Sequence, residues 1–174
     1  MSIAVRRITA DDWREVKALR LRALADPVAP IAFLDTVEGA GRQPDGFWQD
    51  RAANASGSAA SAQFVAIADT GEWVGTVTVL AHREHVDSGL VVGVYVADGH
   101  RGAGIIDALL DAAAEWSREQ GLRELVLEVH VDNDRAQAVY SRSGFVRTGV
   151  TDTVGFGREW VMTRSLGTAD GALR

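Results

Sequence analysis

The sequence predicts a mixed α/β fold, with strands and helices alternating around one strand-loop-helix unit at the middle of the chain. Short runs rich in β-branched residues recur along it, and apolar residues at helical spacing lie between several of them. The stretch "VVGVYVADGHRGAGIIDALLDAA" (91–113) passes from an all-apolar run, through a turn with three glycines, straight into a helical pattern. A chain of 174 residues is the usual size of one domain. Residues 1–166 are therefore read as a single domain, with 167–174 as a short tail.

Taken in order, "IAVRRI" (3–8) reads as a strand. Thr9 and Asp12 follow at capping-box spacing, ahead of a helix through about Ala25 whose buried stripe is Trp13, Val16, Leu19 and Ala23. The region from Asp26 to about Ala53 holds all three prolines and reads as loop, with a short helix near Phe47–Ala53. "NASGSAASA" (54–62) reads as a flexible connector inside the domain. "QFVAIAD" and "EWVGTVTVLAHRE" flank Thr70-Gly71 as a hairpin. "GLVVGVYVAD" is apolar on both faces, as a central strand would be, and Gly93 within it predicts a bulge or a close backbone approach. Ile105, Leu109, Ala113 and Trp116 give the next helix its buried face, and Gly121 stops it. "ELVLEVHV" (124–131) is a strand, 133–143 a helix stopped by Gly144, and "FGREWVMTRSL" a final strand.

Charge and composition exclude several functions. The net charge of −6 argues against nucleic acid as partner, so any bound anion must be held by a local feature. The absence of cysteine removes disulfides, thiolate metal sites and a cysteine nucleophile. No apolar run approaches membrane-spanning length and the N-terminus lacks a signal-peptide pattern, so a cytoplasmic protein without membrane attachment is expected. His82 and His85 lie near a strand end without a third ligand, so no metal is expected.

The glycine loop carries the first chemistry. The opening N–H groups of a helix lack intrahelical acceptors and its dipole leaves that end partly positive, so small residues there let a phosphate approach. Arg101 adds a cation. The same glycines would also serve a tight turn. Further on, "VHVDNDRAQAVYSRSGF" puts Asn133 at an N-cap, Ala136 on a packing face, Tyr140 four residues on, and Gly144-Phe145 at the stop.

With both stretches in view, the chain resembles the GCN5-related N-acetyltransferases over about residues 3–165. The family's signature Q/R-x-x-G-x-G/A corresponds to Arg101, Gly102, Ala103, Gly104, Ile105 and Ile106, and its later signature to Asn133, Ala136, Tyr140, Gly144 and Phe145. One position departs: Ile106 stands where Gly or Ala is usual, narrowing the space beside the helix. The resemblance implies the acyl-CoA N-acyltransferase fold, a splayed, mostly antiparallel mixed sheet of six to seven strands flanked by about four helices. It implies acetyl-CoA as co-substrate, a small-molecule or peptide amine as acceptor, and room for a homodimer. It also implies that Val94, Tyr95 and Val96 lend backbone groups to the pantetheine arm, and that the Tyr140 hydroxyl serves the departing thiolate.

Transfer to an amine needs a base, an oxyanion donor and a proton for the leaving group. Glu128 interrupts an apolar strand and matches the glutamate of an "LEV" pattern that acts as base in some relatives; its other reading is a structural bridge. His130 shares that strand face, as an assistant or as a satisfied structural histidine. Phe33, Phe47 and Trp48 would form an acceptor wall or simply pin the connector, and Asp35 or Glu38 would attract a cationic amine or stay solvated. Residues about 26–50 and 83–88 are expected to shape the acceptor site. The rival to an enzyme is a non-catalytic acyl-CoA-binding module.

Overall fold

The computed structural model describes residues 2–81 and 87–167. His82, His85 and Arg83 lie outside them, as does the tail beyond Gly167. Seven strands form one sheet in the order β1-β2-β3-β4-β5-β7-β6. They are β1 (Ile3–Arg7), β2 (Ser61–Ala68), β3 (Trp73–Ala81), β4 (Ser88–Val96), β5 (Glu124–His130), β6 (Val146–Thr153) and β7 (Gly157–Ser165). Five helices accompany them: α1 (Trp13–Leu24), α2 (Val37–Gly41), α3 (Asp45–Gly57), α4 (Ile105–Glu119) and α5 (Asp134–Arg142). Neighbouring strands are antiparallel except β4 with β5.

Alternation along the strands gives the sheet two apolar faces. Phe64, Ala66, Val77, Val79, Leu125 and Leu127 meet Leu109, Leu110, Ala113 and Ala114 of α4 in one core cluster. Val65 and Tyr95 meet Val16, Leu19 and Ala23 of α1 and Trp48, Ala52 and Ala55 of α3 in a second. Leu109 and Leu110 are wholly buried, and each such leucine contributes roughly 1.5–3 kcal/mol. Helices thus cover both faces, and a site passing through the sheet has walls on each side.

The first helix begins as expected. A 3-10 turn, Ala10–Asp12, precedes α1, and the Asp12 carboxylate accepts the Thr9 N–H at 2.7 Å while pairing with Arg6. Arg6 first, as a hydrogen-bond donor, holds the Asp12 carboxyl below its ordinary range against the opposing effect of burial.

Two local expectations are corrected. The 54–62 stretch is mostly ordered structure: 54–57 belong to α3, and Ser61 and Ala62 to β2. Arg7 accounts for this, donating to the carbonyls of Ala55 (3.1 Å), Ser58 (2.9 Å) and Ser61 (2.9 Å), so one guanidinium satisfies the helix end and the turn. The sequence also left β6 without an element. It is an edge strand whose residues are almost all exposed, Val150 at 53 %, so no buried face imposes a period on it.

Candidate active site

The strand break that makes the site is visible in the β4–β5 ladder. Pairing runs through Ser88–Glu124, Gly89–Leu125 and Leu90–Val126 and then stops, although both strands continue. Beyond Leu90 one edge of β4 therefore carries backbone N–H and C=O groups with no strand partner. β4 also bulges. Thr76 pairs with Tyr95 but Thr78 with Val92, so β4 holds an extra residue, and Gly93 takes φ +63° there. Both the bulge and the parting of the strands answer the expectations raised by Gly93 and by the resemblance.

A cleft of about 530 Å³ occupies the gap. Val94, Tyr95, Val96, Glu128, Arg101, Gly102, Gly104, Ile105, Ile106, Asn133, Ala136 and Tyr140 all line it; of the residues expected to bind acetyl-CoA or to react, Ala103 alone does not. Tyr95 borders it while its ring belongs to the core under α1, where burial raises the phenol's pKa.

The glycine loop ends in Gly104 at φ +75°, a left-handed conformation that a side chain would strain, and α4 starts without a side-chain cap. Its first N–H groups thus face the cleft end with no side chain competing for them. Ile106 lies on the wall, partly buried against the core. Arg101 is already engaged: its Nε donates to the Val96 carbonyl at 2.9 Å, and its guanidinium pairs with Asp26. Burial alone would raise the Asp26 carboxyl, but the Val28 N–H and Arg101 together draw it below the ordinary range. This pair ties the segment after α1 to the loop before α4, so Arg101 sets the loop's position as well as its charge.

Helix α5 is aimed by its cap. Asn133 Oδ1 accepts the Ala136 N–H at 3.2 Å. The buried Gln137 donates to the carbonyls of His130 (3.1 Å) and Val131 (2.9 Å) and accepts from Arg147 at 2.5 Å. Ala136 and Tyr140, four residues apart, consequently pack toward the sheet together. Tyr140 is half-buried, edge-on to Phe145 at 5.9 Å, and desolvation raises its phenol well above the ordinary value. The phenol is thus protonated at neutral pH.

Glu128 is exposed on the cleft wall, one residue from the buried Leu127 and Val129 that fix its strand. His130 also lines the cleft; its Nδ1 accepts the Asp132 N–H at 3.1 Å and its ring stands edge-on to Phe156 at 5.3 Å. Of the expected aromatic wall, Phe33 lines the cleft, Trp48 is buried in the second core at 1 % exposure, and Phe47 lies outside. Asp35 and Glu38 do not line it either. The acids that do, besides Glu128, are Asp26, Asp107 and Glu159, and Arg20 joins them from α1. Among the described residues no group of acids and histidines is arranged to hold a metal, and no helix is long and apolar enough to cross a membrane.

A parted sheet with an uncapped helix end at the gap defines the acyl-CoA N-acyltransferase fold. The family model described as "Acetyltransferase (GNAT) family" matches residues 26–145, and the chain belongs to that family. It is 34 % identical over 96 residues to the aminoglycoside N(6')-acetyltransferase type 1 of Stenotrophomonas maltophilia, covering 52 % of this chain and 63 % of that protein. It is 34 % identical over 86 residues to N-alpha-acetyltransferase 30 of Schizosaccharomyces pombe, covering 48 % and 57 %. The chain thus spans less than two-thirds of either relative. Among solved structures, the PaiA N-acetyltransferase of Thermoplasma acidophilum in complex with coenzyme A superposes with a TM-score of 0.75 at 18 % identity, over 95 % of this chain and 99 % of that one.

Proposed function

We propose that residues 1–166 act as one catalytic domain that transfers an acetyl group from acetyl-CoA to an amine by direct attack in a ternary complex. One arrangement carries this reading: the cleft between β4 and β5 joins the uncapped start of α4 to the carboxylate of Glu128. The residues fit acetyl-CoA. The N–H groups from Gly102 to Ile106 suit its pyrophosphate, and the unpartnered edge of β4 around Val94–Val96 suits the amides of its pantetheine arm. Bound there, acetyl-CoA supplies an activated thioester.

The chain's own groups then handle protons and charge. Glu128 takes the proton that the amine must lose, directly or through a water, and a backbone N–H near Val96 faces the carbonyl oxygen. As the nitrogen–carbon bond forms and the carbon–sulfur bond breaks, Tyr140 donates its proton to the sulfur and recovers one from solvent. The phenol arrives protonated at neutral pH, as a general acid must, while desolvation, by raising its pKa, lowers the driving force for donation. The relatives' names, one an aminoglycoside and one an N-alpha-acetyltransferase, support a small-molecule or peptide amine.

The direct test is release of free thiol from acetyl-CoA with a panel of polyamines, aminoglycosides, amino acids and peptides. Amine-dependent release is expected. Tight CoA binding with no release from any amine would overturn catalysis and leave a binding module.

A further inference from the structure

Two arginines on the α1–α3 side of the sheet are placed where helices bury apolar residues. Arg20 falls four residues after Val16 and three before Ala23, on the buried stripe of α1. Arg51 falls three after Trp48 and four before Ala55, on the buried stripe of α3. They line one small polar cavity of about 20 Å³, with Gln63, Thr76 and Thr78 of the sheet as its floor. Arg20 and Gly93 border both this cavity and the main cleft, so the cavity is an annex of the cleft at the β4 bulge.

Gln63 Nε2 donates to Thr76 Oγ1, which donates to the Phe64 carbonyl, but two atoms in the annex have no protein partner. Arg20 Nε is buried without an acceptor, and Gln63 Oε1 is buried without a donor. Among the described residues no carboxylate lies within ion-pairing distance of either guanidinium. Arg20 instead lies over Phe33 at 4.8 Å and Arg51 over Trp48 at 5.9 Å. Burial, followed by the charge of Arg51, lowers the Arg20 guanidinium, with Asp35 opposing. Asp35 does not pair with it, and accepts the Thr36 N–H at 2.8 Å. Buried charges are normally paired, and a forked guanidinium with a free Nε suits a planar oxyanion.

We infer that Arg20, backed by Arg51, binds an anionic group of the acceptor, so that the acceptor is an amine carrying a carboxylate or a like oxyanion. The phosphates of acetyl-CoA are not the occupant, because α4, whose first N–H groups suit them, packs on the opposite face of the sheet from α1. Glu128 and Arg20 line one cleft with opposite charge, which complements a zwitterion. The annex holds about one water, which suits Gln63 Oε1; the oxyanion sits above it, in the cleft. This inference rests on the acetyltransferase reading for the identity of the occupant, and its test separates the two.

The probes are amino acids, ω-amino acids, dipeptides and aminoalkyl phosphonates, each beside the amide or ester that masks its acid. In the wild type, masking the acid should lower kcat/KM at least about thirtyfold through KM. Arg20→Met should use the masked and free forms equally, and Arg20→Lys should recover part of the preference. A merely structural Arg20 would instead lower the melting point and leave the preference intact. Independently of turnover, the Arg20 Nε–H resonance, assigned with Arg20→Lys, should move with the free acids and not with their amides. That shift without thiol release would uphold the anion site while overturning the acetyltransferase reading. Equal kcat/KM for free and masked acceptors, or an Nε–H resonance unmoved by every acid, would overturn the inference.

Discussion

The two sides of the cleft are built from different materials. On the α4–α5 side the polar groups are mostly backbone: N–H groups at the start of α4 and the edge of β4 without a strand partner, with the Tyr140 phenol beside them. On the α1–α3 side they are side chains drawn from separate elements: Arg20 from α1, Arg51 from α3, Phe33 from the connector and Glu128 from β5. Backbone groups recognise what is common to a cofactor whatever side chains surround them, provided the turn is permitted. On the proposed reading, side chains drawn from separate elements select among acceptors. A cleft of this kind keeps its cofactor while its acceptor changes, and the family's spread from an aminoglycoside to an N-alpha-acetyltransferase fits that division.

The comparison is broken most sharply at Glu128. Glu128→Gln keeps the shape of the side chain and removes the base, so turnover should fall about 10²–10⁴-fold while CoA affinity stays near that of the parent. Normal turnover with an unchanged pH–rate profile would return Glu128 to structure. Tyr140→Phe probes the other side with one atom, and kcat should fall about 10²-fold with the melting point near pH 7 unchanged. A pH effect accompanies it. The folded phenol's pKa lies above the ordinary 10.0, so its contribution to stability is complete below that value and is lost as pH rises beyond it. The wild type should therefore lose stability in that alkaline range, and Tyr140→Phe should lose less. Full activity of a well-folded Tyr140→Phe would sink the acid role. The smallest effect is expected at the backbone-built end. Gly104→Asp places a carboxylate against the phosphates and should weaken CoA about tenfold or more, read as a smaller melting shift on adding CoA. Undiminished binding in the folded variant would place the phosphate cradle elsewhere.

The backbone-built side was the more legible of the two in the sequence. A loop that needs a left-handed residue writes Gly104, a cap writes Asn133, and a helix face writes Ala136 and Tyr140 at a spacing of four; each is a local requirement. The acceptor side was harder because its residues are adjacent only after folding. Asp35 and Glu38 are acids in the connector that could attract a cationic amine, yet neither lines the cleft, whereas Glu159, on the strand paired with His130, does. Arg20 and Arg51 did carry a signal, a cation on an otherwise apolar helical stripe. It becomes interpretable only when two such stripes are found to bury the same cavity.

Residue order by itself specifies what is decided within a few residues: where strands and helices begin, where glycine is required, and which face of each helix is apolar. It was enough to read the alternation of elements, the loop before α4 and the cap of α5. The fold decides what depends on separation through space. Only the assembled sheet shows that β4 and β5 pair over three residue pairs and then diverge, that Arg101 is already bound to Asp26, and that Arg7 orders a stretch that reads as flexible. The physical reason is range. Propensity, capping and periodicity act along the chain, while desolvation, ion pairing and cavity formation depend on whichever distant groups the packed core brings together.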